Sequence, residues 1–370
     1  MSTFSFGTRR LAAVALLTAL GAALTACGGG ADSATPGAEP VVFTAPDKAL
    51  TATTASYTSV PLQLGYFSAE KLDVTIQPVD SAPTAIQSVA TGQAFMTYAS
   101  LNAAIAAYQK DPGIAVVGLT NGSIFRVVVP QDSPITTAAD LKGATIGSNS
   151  LAGVSTLFAK GVLKEAGLDP DKDAQYLPVG LGAQAADALR KKQIAAYAGW
   201  DGPNVVIGDL LGTTMRDIPT PLNDMTGTSA LVVRKESIKQ EPERVAGMVR
   251  AFYKAMVFSQ TNPEAAIKLH WKQFPQSRPA SDVPEETALA QAVRILKLRL
   301  DITGGKGTSG RYGVIDDAAV QKTIAAFAEH GMIPAAIDVK SSGLFDYSLA
   351  GKYNAFDEKA VEQEARQWKG

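Results

Sequence analysis

From Val41 onward, short strand-like runs alternate with helical patterns, and that alternation restricts the chain to an α/β architecture with mainly parallel sheets. Asp73-Val74-Thr75-Ile76-Gln77 alternates with period two and predicts a strand, and Pro83 to Thr91 predicts a helix with proline in its first turn. Phe95 to Tyr98 predicts a strand running into Ser100, an N-cap residue ahead of an Ala-rich helix. Ile114 to Leu119 and Phe125 to Val129 predict two more strands around the turn Asn121-Gly122. The same rhythm fills residues 130–228, after which Ala230 to Val233 predicts a returning strand. The remainder is chiefly helical, with helices expected at 241–260, 263–273, 285–300, 316–330 and 356–368.

The first 40 residues have a different composition. Arg9 and Arg10 precede an apolar run from Leu11 to Leu24, followed by Thr25-Ala26-Cys27. This is the shape of an export leader, and the run is short for a spanning helix. Leu24-Thr25-Ala26-Cys27 resembles the bacterial lipobox, which implies a signal peptide over 1–26 and a lipid on Cys27. Cys27 is the only cysteine, so it has no disulfide partner within the chain. Residues 27–40, rich in Gly, Ala, Thr and Pro, predict a flexible tether. The pair of arginines does not distinguish the general from the twin-arginine export route.

The 330 residues beyond Pro40 exceed the size at which a single core stops growing, so two lobes are expected. The expected division is 41–129 with 229–370 as lobe 1 and 130–228 as lobe 2, with hinge crossings near 129 and 229. Lys and Arg total 34 against 35 Asp and Glu. This balance lacks the basic face of a nucleic-acid binder. One cysteine and two histidines, His270 and His330, supply almost no material for a transition-metal site or a nucleophilic dyad. No cofactor is expected. Both histidines are read as structural, and Gly304 to Gly310, which lacks phosphate-loop spacing, as a surface loop.

Val60-Pro61-Leu62-Gln63-Leu64-Gly65-Tyr66-Phe67, followed by Glu70-Lys71-Leu72-Asp73-Val74, resembles the opening of periplasmic solute-binding proteins of the nitrate, sulfonate, taurine and pyrimidine-precursor group. Asp132 to Ile135 leading to Asp140-Leu141-Lys142-Gly143, and Trp200-Asp201-Gly202-Pro203, resemble further motifs of that group. Lys71 stands where glycine is usual, and Lys192 to Ala195 lacks the familiar Gly and Asp. The resemblance implies a two-lobed periplasmic-binding-protein fold of type II that closes on a small solute.

In open α/β sheets, ligands bind beyond the carboxyl ends of the strands, where helix N-termini offer unpaired N–H groups. Four turns are expected there. They hold Tyr57, Thr58 and Ser59; Ser81, Pro83 and Thr84; Tyr98, Ala99 and Ser100; and Ser150, Gly153, Ser155 and Thr156. Each hydroxyl has two readings, as a ligand contact or as a cap of its own helix. Tyr57, Tyr98 and Trp200 are candidate apolar walls or core. Asp201 either faces the cleft, favouring an amine-bearing solute, or caps the helix that follows. Arg126 either makes a fork for a carboxylate or sulfonate, or lies outward as a solvated charge.

The expected function is therefore that of a non-enzymatic, monomeric, lipid-anchored receptor outside the cytoplasm. It would capture a small organic anion, a sulfonate or a carboxylate, and deliver it to the permease and ATPase subunits of an ABC importer. A pyrimidine-type or amine-bearing solute, or presentation of ligand to a membrane sensor, are the alternatives.

Overall fold

The computed structural model describes residues 38–279 and 283–370; the leader, Cys27 and most of the expected tether lie outside them. The described strands, in chain order, are β1 (Glu39–Ala45), β2 (Leu72–Pro78), β3 (Met96–Ser100), β4 (Ile114–Thr120), β5 (Phe125–Pro130), β6 (Thr145–Ser148), β7 (Gln175–Pro178), β8 (Ala196–Trp200), β9 (Met215–Asp217) and β10 (Ser229–Arg234). The helices run α1 (Ser59–Gln63), α2 (Tyr66–Ala69), α3 (Ala82–Ala90), α4 (Leu101–Tyr108), α5 (Val154–Glu165), α6 (Ala183–Arg190) and α7 (Asp201–Leu211). Then follow α8 (Lys235–Gln240), α9 (Pro242–Thr261), α10 (Pro263–Gln273), α11 (Glu285–Thr303), α12 (Asp317–Glu329), α13 (Ala350–Tyr353) and α14 (Glu358–Gln367).

Two five-stranded sheets result, ordered β2-β1-β3-β10-β4 and β7-β6-β8-β5-β9. In the first, β1 lies parallel to β2 and β3, and β10 lies antiparallel to β3 and β4. In the second, β6 is parallel to β7 and β8, and β5 is antiparallel to β8 and β9. Each sheet is thus mainly parallel, and its one reversed strand is the strand that enters from the other sheet. This is the two-lobed α/β architecture expected from the sequence.

The chain first changes sheet at 121–124, ahead of the position near 129 expected from the sequence. β5 belongs entirely to the second sheet, and a run such as Phe125 to Val129 is equally apolar in either. The turn depends on Gly122, which holds φ +56° and whose Cβ would lie 2.5 Å from the carbonyl of Ile302. The second crossing runs through 218–228 to β10. Glu39 and Pro40, expected to be the last residues of the tether, instead belong to β1 and pair with Leu72 and Asp73 of β2.

β4 and β3 are buried along their whole length, as strands covered on both faces must be. α9 packs Val249, Phe252 and Phe258 into the core beneath β1 and β3. A second apolar cluster runs through the crossings, joining Ile114, Leu119 and Val232 of the first sheet to Val127, Ile146 and Phe158 of the second, with Phe327 of α12 between them. Side chains of this kind each contribute about 1.5–3 kcal/mol through burial.

Lys71 (φ +60°) and Lys192 (φ +56°) are the non-glycine residues in the left-handed region among those described. Both fall in segments where the resembled motifs carry glycine.

Candidate functional site

The carboxyl ends of β3, β6 and β8 are followed by α4, α5 and α7, and the two sheets present these ends to one another. Asn102, in the first turn of α4, and Val154, at the start of α5, line one cavity with Phe125, Phe158, Thr228 and Phe327. It encloses about 10 Å³, room for one water at most. Neither helix has a side-chain cap: Ser100 precedes α4 without capping it, and Gly153 has no side chain to offer α5. Ser100 Oγ, just ahead of α4, and Ser123 Oγ, in the first crossing, are buried without a hydrogen-bond partner among the described residues.

The second contact region lies around Arg299 of α11. Its guanidinium forks onto Asp201 at the start of α7, with Nε to Oδ2 and Nη2 to Oδ1 both at 2.5 Å. The side chains are 8% and 1% exposed. Gly202 N–H donates to Asp201 Oδ1 at 2.9 Å, so the carboxylate also serves the N-terminus of α7. Gly202 allows a close approach between halves: a Cβ there would lie 2.9 Å from Thr53 Cγ2. Farther along, Arg294 and Gln291 of α11 donate to Asp209 of α7. No space for a solute remains at this contact.

Thr53, Ser56, Tyr57, Tyr98, Phe252 and Thr303 surround Arg299. Tyr57 meets Tyr98 edge-on at 5.0 Å, and Phe252 packs on both. Burial raises the Tyr57 and Tyr98 hydroxyl pKa values, with Arg299 acting in the opposite direction. Burial opposes the charge on Arg299, but the Asp201 carboxylate outweighs it and the pKa is raised. Asp47, in the loop after β1, is raised to about 6 by burial, against the pull of the Ala49 N–H and Arg299.

The candidate residues separate by environment. Tyr98, Ala99 and Ser100 lie at the end of β3 between the sheets, and Tyr57 lies against Arg299, although Tyr98 OH is spent on Thr120 Oγ1 at 2.9 Å. Thr58 and Ser59 are not in a strand-to-helix turn. They join a 3₁₀ turn (Ala52–Tyr57) to α1 and are fully buried; Thr58 returns its hydroxyl to the Thr54 carbonyl, and Ser59 Oγ lies 2.9 Å from His270 Nδ1. Ser81 caps α3 through the Thr84 N–H at 3.4 Å and meets Thr84 Oγ1 at 2.9 Å, while Pro83 and Thr84 are exposed. Thr156 fastens its own loop by donating to the exposed Ser150 carbonyl, beside Gly153 and the buried Ser155. Trp200 is half-buried opposite Phe125 in the ladder.

Neither reading of Arg126 as an anion fork nor as a solvated charge describes it. Nη1 donates to the Ser123 and Phe125 carbonyls at 2.7 Å each, and Nε to Asp217 at 3.0 Å. It clamps both chain crossings. Arg299 escaped the sequence reading altogether, yet Ala288, Ala292, Ile295, Arg299 and Thr303 form one buried stripe of α11. An arginine on an apolar stripe was the available signal.

Among the described residues no helix is long and apolar enough to cross a membrane, and no group of three His, Cys, Asp or Glu is placed to hold a metal ion.

Two mixed sheets joined by two crossings define a periplasmic-binding-protein-like fold. The family model for NMT1/THI5-like proteins matches residues 56–266, and the chain belongs to that family. It is similar in structure to the periplasmic aliphatic sulphonate binding protein SsuA of Escherichia coli, with TM-score 0.60 and 18% identity over 82% of this chain and 97% of that one. The alkanesulfonate-binding protein SsuA of Xanthomonas axonopodis pv. citri, bound to MOPS, gives TM-score 0.58 and 15% identity, again over 82% and 97%. A variant of DszB in complex with biphenyl-2-sulfinic acid gives TM-score 0.54 and 15% identity over 86% and 99%; another structure describes DszB as a desulfurization enzyme. At these identities the likeness is one of fold. No curated protein matches the chain in sequence.

Proposed function

We propose that the chain is the solute-binding receptor of an ABC importer, held outside the cytoplasm by a lipid on Cys27 and capturing a small organic solute between its lobes. The observation that carries this is the meeting of strand carboxyl ends from both sheets, where two uncapped helix N-termini, α4 and α5, come to one cavity. Helix N-termini favour an anionic head group, the Leu101 N–H of α4 being already taken by the Thr228 carbonyl at 2.8 Å, and Phe125, Phe158 and Phe327 suit an apolar body. A sulfonate or carboxylate is the favoured class on this cavity alone. Family membership and the sulfonate-binding neighbours support the same role.

The described arrangement has no room for the solute, so capture requires the lobes to part and re-form around it. His270 spends both ring nitrogens on Ser59 and Leu50, His330 Nε2 faces Glu165 at 3.0 Å, and neither histidine lines the cavity at α4 and α5. Small-angle scattering on the ligand-free protein is expected to give a larger radius of gyration than the described arrangement, falling when a solute is bound. A curve that already matches the described arrangement and is unchanged by organosulfonates and aromatic carboxylates would overturn the receptor reading.

A further inference from the structure

We infer that Met332, together with Met225, sets the size of the solute's apolar body. The two side chains fill the space between the phenylalanines of the cavity and swing aside to admit a solute, and Met332 limits how large a body the closed receptor accepts. This rests on the receptor reading above and names the residue that selects the solute.

Met332 reaches the cavity from the opposite half to α5. The segment that holds α12 is fastened to β4 at both of its ends: the Gly313 carbonyl accepts from the Leu119 N–H at 2.9 Å, and the Leu344 carbonyl from the Val116 N–H at 2.8 Å. Thr323 of α12 also donates to the Thr226 carbonyl at 2.8 Å. Just past α12, however, the turn at 330–333 lands on α5 of the second sheet's half. His330 Nε2 lies 3.0 Å from Glu165 Oε2, and Lys164 Nζ donates to the His330 carbonyl at 3.4 Å. Gly161 makes this landing close, because a Cβ there would collide with Met332 Cε and lie 3.1 Å from His330 Cβ. The strap therefore completes the cavity wall only when the halves meet, and closure brings Met332 into place.

The other walls yield little. Phe125 and Phe158 pack against each other with ring centroids 6.2 Å apart, Phe327 is carried by α12, and Val154 and Thr228 are branched at Cβ and stiff. Met225 and Met332 are buried, unbranched and adaptable. The cavity encloses about 10 Å³, whereas a dry apolar cavity that takes up a benzene ring measures about 150 Å³. Growth of that order without breaking the packing between α5 and α12 has to come from the two methionines. Met332 withdraws only as far as α5 allows, since Gly161 already lies against its methyl group. A one-ring body is accommodated on these terms, and a two-ring body meets Met332 backed by α5.

The test follows the methionines themselves. The full-length protein, labelled with carbon-13 at its methionine methyl groups, is titrated with benzenesulfonate and benzoate as one-ring probes and with naphthalene-2-sulfonate and 2-naphthoate as two-ring probes. Met225→Leu and Met332→Leu assign the two resonances. Ring currents are expected to shift the Met225 and Met332 methyls and to leave Met96 and Met248, in the core of the first sheet, unmoved. By calorimetry the parent is expected to bind a one-ring probe about ten-fold or more tightly than its two-ring counterpart. Met332→Ala is expected to close that gap and Met332→Leu, which keeps the bulk, to preserve it. The methyl shifts in the parent decide the matter even where Met332→Ala fails to fold. Probes that bind without moving Met332, or a gap unchanged in Met332→Ala, would overturn the inference and leave the receptor reading intact. So would failure of all four probes when a solute extracted from the purified protein binds with the Met332 methyl unmoved. Failure of all four, with no extractable solute and no change in scattering, would overturn both.

Discussion

Ser59 Oγ lies 2.9 Å from His270 Nδ1, while Nε2 of the same ring lies 2.8 Å from the Leu50 carbonyl. Burial holds the imidazole pKa down to about 4, against the raising effect of the Leu50 carbonyl, so near neutral pH the ring is uncharged. A carbonyl only accepts, so Nε2–H donates to Leu50 and Nδ1 accepts from the Ser59 hydroxyl. The ring thereby ties the loop ahead of Ala52–Tyr57 to α10. Because the folded pKa is below the ordinary value, this contribution is complete above pH 6.5 and is lost as pH falls towards 4, by about 3 kcal/mol. Asp47 has the opposite sign: its raised pKa means that burial opposes folding above pH 6 and ceases to do so below pH 4. Asp47→Asn is therefore expected to be more stable than the parent at pH 7, by up to about 3 kcal/mol, and to lose that advantage by pH 4. The deficit of His270→Asn is expected to shrink over the same interval. Urea denaturation at pH 4, 5, 6 and 7 checks both, and parallel curves for parent and variants would refute the assignments.

Breaking the Asp201–Arg299 bridge from one side leaves a buried charge without its partner. Asp201→Asn or Arg299→Gln is expected to cost about 3–5 kcal/mol, whereas Asp201→Leu with Arg299→Met is expected to cost much less than the sum. A double-mutant cycle in guanidinium chloride measures this, and additive losses would show that the pair does not act as a unit.

Gly202 has a steric duty. A side chain there meets Thr53 Cγ2 across the contact between halves, with Ile295 Cγ2 at 3.4 Å. Gly202→Val is expected to hold the halves apart even with solute present, so that the fall in radius of gyration on binding is lost, and Thr53→Ser, which removes the methyl, is expected to restore part of it. A full fall on binding in Gly202→Val would show that the contact between halves accommodates a side chain there.

Lys71 follows α2 and precedes β2 with φ +60°, a conformation that costs a non-glycine residue about 1–2 kcal/mol. Lys71→Gly removes that strain but makes the unfolded chain freer, which offsets part of the gain. A net stabilisation of about 0.5–1 kcal/mol is expected by thermal or urea unfolding. A loss on substitution would show that the lysine side chain contributes more than its backbone costs.

Local chemistry made much of the fold readable. Proline at 83, 242 and 263 marks helix starts, period-two alternation marks β2, and the helix expected at 263–273 forms over those residues. What the sequence left open depends on distant partners. Phe125 to Val129 is a strand by its own residues, but its sheet is decided by β8 and β9, some 70 to 90 positions away. Asp201 is an acid at a helix start in either of its sequence readings, and only Arg299, 98 residues later, decides what that acid does. Thr58 and Ser59 have the composition of a ligand turn, yet the Thr54 carbonyl takes the hydroxyl of the first and His270 Nδ1 that of the second. The pairing of Ser81 with Thr84 was the capping alternative realised in full.

Arg126 shows how a hinge is stiffened without a large apolar contact. Its guanidinium collects the Ser123 carbonyl in the first crossing and the Phe125 carbonyl where β5 begins, and reaches Asp217, the last residue of β9 before the second crossing. Hydrogen bonds from a charged donor are worth about 1.5–3 kcal/mol each when they exclude water, and Arg126 is largely shielded while Asp217 is half exposed. The two carbonyl bonds therefore carry more than the ion pair. Arg126→Gln is expected to destabilise by about 2 kcal/mol, and Asp217→Asn by under about 1 kcal/mol. Hydrogen exchange should separate this local role from a general loss of stability. In Arg126→Gln the amides of 121–126 and 218–220 are expected to exchange faster, while those of β4 and β6 keep their protection relative to global unfolding. Uniform acceleration through both sheets would assign Arg126 to the core of the fold rather than to the crossings.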